Sequence, residues 1–148
     1  GAIHGYGLPY RPNTDTWNLA DNTGADAGIT ATSAQVGDYL RALFFADGAF
    51  ATTGAAMLDD RVPRDKARQF AGAGAEILCS RTGTELVGHT GDTFGYLTFA
   101  FAIPAEGVTM VGHINADRPE ALNAMLKSTA EAVAQACAEP SQPGPVTH

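Results

Sequence analysis

The residues best equipped for chemistry stand together at His89-Thr90-Gly91-Asp92-Thr93, with an alternating apolar run at 97–103 close behind. An imidazole can carry or relay a proton near neutral pH. A hydroxyl beside it can donate or accept a hydrogen bond, and a glycine admits close approach to the backbone because it has no Cβ. The other histidines, His4, His113 and His148, are isolated, and His113 falls mid-strand, where it reads as packed or surface rather than catalytic. His89 with Asp92 gives a metal no second ligand pair at a suitable spacing. Gly72 and Gly74 follow a helix-like stretch instead of opening one, so they do not form a phosphate loop.

The elements that must hold these residues are legible from periodicity. Residues 1–28 are rich in Gly, Pro, Asn and Asp and predict a long structured loop. Residues 30–45 carry Val36, Tyr39, Leu40, Leu43 and Phe44 at helical spacing, with Thr32 or Ser33 as cap and Asp47-Gly48 as stop. A shorter helix is predicted over 53–58, ahead of Pro63, and the charges from Asp59 to Arg68 read as a solvated face. From Ala75 the period becomes two. Strands are predicted over 75–81 and 84–89 about a Thr82-Gly83 turn, then over 96–103 and 108–114. Asp117-Arg118-Pro119 opens a last helix with a stripe of Leu122, Met125, Leu126, Val133 and Cys137, and the tail at 139–148 is expected to be disordered.

These elements predict an α+β domain over 1–138, with a loop and helical region at 1–70 and a sheet with its terminal helix at 71–138. The last helix covers one face of the antiparallel sheet. The other face, with Val87, His89 and Tyr96, is expected to lack a cover, so the chain reads as a portion of a larger domain. A formal charge of −7 argues against nucleic acid or an anionic membrane as partner. No apolar run approaches the ~18 residues of a membrane helix. No signal peptide or initiator Met is present, so Gly1 is expected to mark a processing point or an artificial boundary.

His-Thr-Gly ahead of an alternating strand resembles the last active-site element of the penicillin-recognising serine hydrolases, the β-lactamase and D-alanyl-D-alanine carboxypeptidase-like family, where the common form is Lys-Thr-Gly. The resemblance extends through His4-Gly5-Tyr6, the Trp17 region, the approach to the first helix at 28–33, the hairpin and the closing helix, in family order from about Gly5 to Cys137. It implies a strand that lines the catalytic groove and binds substrate as an added strand. His89 would then stabilise negative charge or help relay a proton, and the backbone N–H of Asp92 would contribute to the oxyanion hole. Thr90, Gly91 and Thr93 would meet the substrate, with Trp17 either an aromatic wall over the site or a core anchor. No cofactor is implied.

The cysteines, Cys79 and Cys137, read on their own as two buried free thiols. The resemblance to secreted peptidases implies instead a bridge between them, worth about 4 kcal/mol, and a secreted or periplasmic location. The chain also departs from the family. Asp92 stands where carboxylate-recognising relatives keep a second hydroxyl, and it would repel a free C-terminal carboxylate. Asp92 either favours a cationic group or faces solvent in a turn. No arginine lies in 71–78, where some carboxypeptidase relatives keep one. Ester, amide or β-lactam hydrolysis is therefore expected over strict carboxypeptidase activity.

The nucleophile is missing. None of Ser33, Ser80, Ser128 and Ser141 has a lysine three residues on, and none of Tyr6, Tyr10, Tyr39 and Tyr96 has an asparagine two residues later. The resemblance implies that Ser-x-x-Lys lies upstream of Gly1, on a missing N-terminal portion that is this chain's partner. The chain alone is expected to be inactive toward a small ester, amide or peptide substrate. Two other readings are a non-catalytic module that binds peptide or cell-wall fragments, and self-association through the bare face.

Overall fold

The computed structural model describes residues 29–80, 83–93 and 95–138. The loop expected at 1–28 with its Trp17, and the tail at 139–148, lie outside the described residues.

Helix α1, Ser33–Phe44, starts at a capping box. The Gln35 backbone N–H donates to Thr32 Oγ1 at 3.2 Å, and the Thr32 backbone N–H donates to Gln35 Oε1 at 2.9 Å. Together they satisfy two of the amides that a helix start leaves without partners. Phe45 turns extended and ends the helix, its N–H donating to the Arg41 carbonyl. Helix α2, Ala51–Asp59, lies against α1 at Gly54. A Cβ there would stand 1.8 Å from the Leu43 carbonyl oxygen, so only glycine permits this approach.

Six strands follow in a meander, each antiparallel to its neighbours in sequence: β1 Val62–Pro63, β2 Gln69–Gly72, β3 Ala75–Cys79, β4 Glu85–Thr93, β5 Tyr96–Ile103 and β6 Val108–Ile114. Gly83, at φ 93, makes the turn from β3 to β4. Strands β1 and β2 were not foreseen, because the charged stretch around them shows no alternation and Pro63 argues against a strand. A two-residue edge strand tolerates that proline. Strand β4 also runs on to Thr93, past the expected end at His89, because β5 pairs with it along its length as far as Thr93↔Tyr96. Helix α3, Pro119–Ala138, opens with Pro119 as expected.

The fold is therefore α+β with a six-stranded antiparallel sheet and a C-terminal helix. Leu86, Phe99, Phe101, Ile103 and Met110 pack beneath α3 with Leu122. The opposite face is not bare, contrary to expectation. There Leu40 and Phe45 pack on Ala102, while Phe44, Met57 and Leu58 close over Ile77 and Val87. Helices α1 and α2 turn their apolar sides to the sheet and cover Val87. They stop short of the end of β4 that carries His89, which is exposed.

Candidate functional site

Side chains alternate across a strand, and this divides the motif on β4. His89, Gly91 and Thr93 share the α1 face with buried Val87, whereas Thr90 and Asp92 share the α3 face with Leu86. The structure thus brings His89, Gly91 and Thr93 together and sets Thr90 and Asp92 apart from them. His89 and Asp92 do not converge on one ligand, and among the described residues no three metal-capable side chains cluster.

The His89 ring bonds through Nδ1 to the Thr90 carbonyl oxygen. A carbonyl only accepts, so Nδ1 is the donor in this bond and Nε2 is left to face outward from the ring's other side. On the other face Thr90 donates its hydroxyl to Glu76 Oε2 at 3.1 Å, and Arg64 Nη1 donates to Glu76 Oε1 at 3.2 Å. Glu76 is only 17% exposed, so this chain of bonds fastens β4 to β3 and to the loop after β1. The Thr90 hydroxyl expected to meet substrate is committed to that network. It borders a cleft of about 330 Å³ with Arg64, Lys66, Gln69 and Asn123, on the side of the sheet away from His89.

Strand β3 accompanies β4 only as far as the Glu76↔Gly88 pair. From residue 89 to 93, β4 is paired with β5 alone, and its β3-side edge has no strand partner among the described residues. Above it, Gly91, Thr98 and His113 lie directly across from one another on β4, β5 and β6. A Cβ on Gly91 would come within 2.6 Å of Thr98 Oγ1, so the glycine leaves room for that hydroxyl. At the far end of the row Ser33 Oγ, at the start of α1, is 3.4 Å from His113 Nδ1. Sequence reasoning missed Thr98, Ser33 and His113 as members of this patch. The alternation puts Thr98 opposite the buried phenylalanines, but only the strand register brings it to Gly91.

The expected Cys79–Cys137 bridge is not formed; both thiols are free. Cys79 packs with Ile77 and Val87 on the α1 face, while α3, which carries Cys137, lies over the other face. A bridge needs Cα atoms within about 7 Å, and the sheet stands between them. Burial, followed by the neighbouring Glu85 carboxylate, pushes the Cys79 thiol up. Desolvation and a hydrogen bond to Glu106 do the same at Cys137. Both sulfurs are thus held as thiols, the unreactive form.

No known protein family matches the chain, and no curated protein matches it either.

Proposed function

We propose that this chain is the C-terminal, carbonyl-binding portion of a serine hydrolase of the β-lactamase and D-alanyl-D-alanine peptidase type, acting on an ester, amide or β-lactam. The observation that carries the reading is the overhang of β4: residues 89–93 run past β3 with one edge unpaired among the described residues, beside an exposed imidazole and a glycine. An extended substrate can join such an edge by backbone hydrogen bonds. The antiparallel sheet with α3 on one face and α1 on the other fits a portion of that fold. The likeness to His-Thr-Gly supplies the family.

In this reading the serine of an upstream Ser-x-x-Lys attacks the carbonyl carbon, and its proton passes to the base beside it. The resulting oxyanion accepts a hydrogen bond from the Asp92 backbone N–H. Collapse of the tetrahedral species breaks the bond to the leaving group, which takes the proton, and water then cleaves the acyl-serine ester. His89, oriented by the Thr90 carbonyl, offers Nε2 at the edge of the groove for proton relay. Thr90 holds the strand in place instead of touching substrate. An extracytoplasmic location goes with the family likeness alone, and the free thiols lend it nothing.

The purified chain is expected to leave a chromogenic β-lactam and a p-nitrophenyl ester intact. Extended upstream to include Ser-x-x-Lys, it is expected to turn over one of them and to bind a serine-reactive probe. Turnover by the chain alone, unaltered by that probe, would sink the proposal. A second reading, a non-catalytic module that holds peptides on the same edge, is favoured by the absence of any Ser-x-x-Lys in these residues. Peptide binding with no such motif upstream would decide for it.

A further inference from the structure

Strand β4 is weakest where it carries the motif. Its ladder with β3 ends at the Glu76↔Gly88 pair, and Gly88 and Gly91 stand on either side of His89 and Thr90. A glycine inside a strand brings no side chain to pack and weakens it. Yet a backbone donor at residue 92 favours an oxyanion only if it is already fixed where the charge will form. Pairing with β5 holds one edge of the strand. The β3 side needs a restraint of another kind.

We infer, resting on the reading of β4 as a carbonyl-binding strand, that Glu76 is its positioning residue. Glu76 forms the last pair of the β3 ladder, and its side chain reaches past that pair on the α3 face. There Oε2 accepts the Thr90 hydroxyl at 3.1 Å. A side chain thus takes over where the backbone pairing stops, from the face opposite to His89. Thr90 is gripped twice, its hydroxyl by Glu76 and its carbonyl oxygen by the His89 ring. That carbonyl belongs to the peptide leading into Gly91, so fixing Thr90 fixes both the imidazole and the approach to the Asp92 N–H.

Glu76 is held in its turn. Arg64 Nη1 donates to its Oε1 at 3.2 Å, and the Arg64 backbone N–H donates to the Gln69 carbonyl at 2.9 Å, tying the cation to the start of β2. A carboxylate largely withdrawn from water needs a partner for each oxygen, and both partners here are donors. Glutamine would still serve Thr90 through its single oxygen, because half-exposed Arg64 can swing into water. Alanine would serve neither. Glu76 therefore acts through Thr90 and not on the substrate itself.

Glu76→Ala, Thr90→Val and Glu76→Gln separate this role from a merely structural one. In the chain alone, the ring-nitrogen resonances of His89 and the amide resonances of Gly91 and Asp92 are expected to move alike in Glu76→Ala and Thr90→Val. In Glu76→Gln they are expected to stay near their wild-type positions. In the chain extended upstream to include Ser-x-x-Lys, the first two substitutions are expected to lower kcat about tenfold to a hundredfold, with KM unchanged. Glu76→Gln is expected to keep most of the wild-type kcat. A loss of thermal stability with those resonances unmoved would overturn the inference, as would an undiminished kcat in Glu76→Ala and Thr90→Val or a change in KM alone. Should Glu76→Ala fail to fold, Thr90→Val against Glu76→Gln makes the same comparison. An extended chain that turns over nothing counts against the carbonyl-binding reading, and the resonances of the chain alone then decide whether Glu76 positions His89.

Discussion

Gly91 and Thr98 are coupled by contact. An alanine at 91 would push its methyl into Thr98 Oγ1 at 2.6 Å. Gly91→Ala is expected to cost no more than about 1 kcal/mol, because Thr98 is exposed and its hydroxyl can turn to another rotamer, and Thr98→Ala in the same chain is expected to recover it. Urea unfolding of both single variants and the double variant gives the coupling, and simple additivity would refute the contact. Thr90→Val removes one of the two hydrogen bonds that hold Glu76, at an expected cost of about 1.5–3 kcal/mol for a bond to a charged acceptor. Were Thr90 instead a substrate-contacting residue with a free hydroxyl, the same change would leave unfolding alone. At Cys79 the folded state raises the thiol pKa, through burial first and Glu85 second. The unfolded chain therefore loses that proton first, so the stability from this group is full below the ordinary thiol range and is lost as pH rises through it. Cys79→Ser is expected to flatten the alkaline limb of a stability–pH curve, and an unchanged limb would discount the burial of that sulfur.

At the scale of elements, the amphipathic patterns were readable and the pairing was not. The stripe from Val36 to Phe44 and the alternation from Leu97 to Ile103 announce α1 and β5 because burial on one side imposes their periods. The cap was readable as Thr32 or Ser33 and proves to be Thr32; losing it with Thr32→Ala is expected to cost about 1 kcal/mol, seen as a lower urea midpoint with an unchanged slope. Strands β1 and β2 escaped because their order comes from pairing with β3, not from any pattern of their own. The site was legible only in part. His89, Gly91 and Thr93 do share a face, whereas Thr90, expected beside His89 in one groove, faces the other way because neighbours along a strand point apart. The cover over Val87 was missed because Phe44, Met57 and Leu58 reach it from helices far earlier in the chain.

For the whole molecule, the free thiols make a simple statement about mass. Intact mass is expected to be the same with and without reductant, and two equivalents of a thiol reagent should react after unfolding. A loss of two hydrogens in the non-reduced protein would restore the bridge. Because the strand order is simply the order of the sequence, each new strand needs only a short loop to find its place. Closing short loops costs little chain entropy, and structures dominated by near neighbours along the chain reach their native state quickly. The sheet can zip up one hairpin after another, and the slowest contacts to mature are then the ones between α1 and the β5–β6 pair, which must travel back across most of the polypeptide. Conditions that trap refolding are expected to yield a formed sheet with its first helix still undocked.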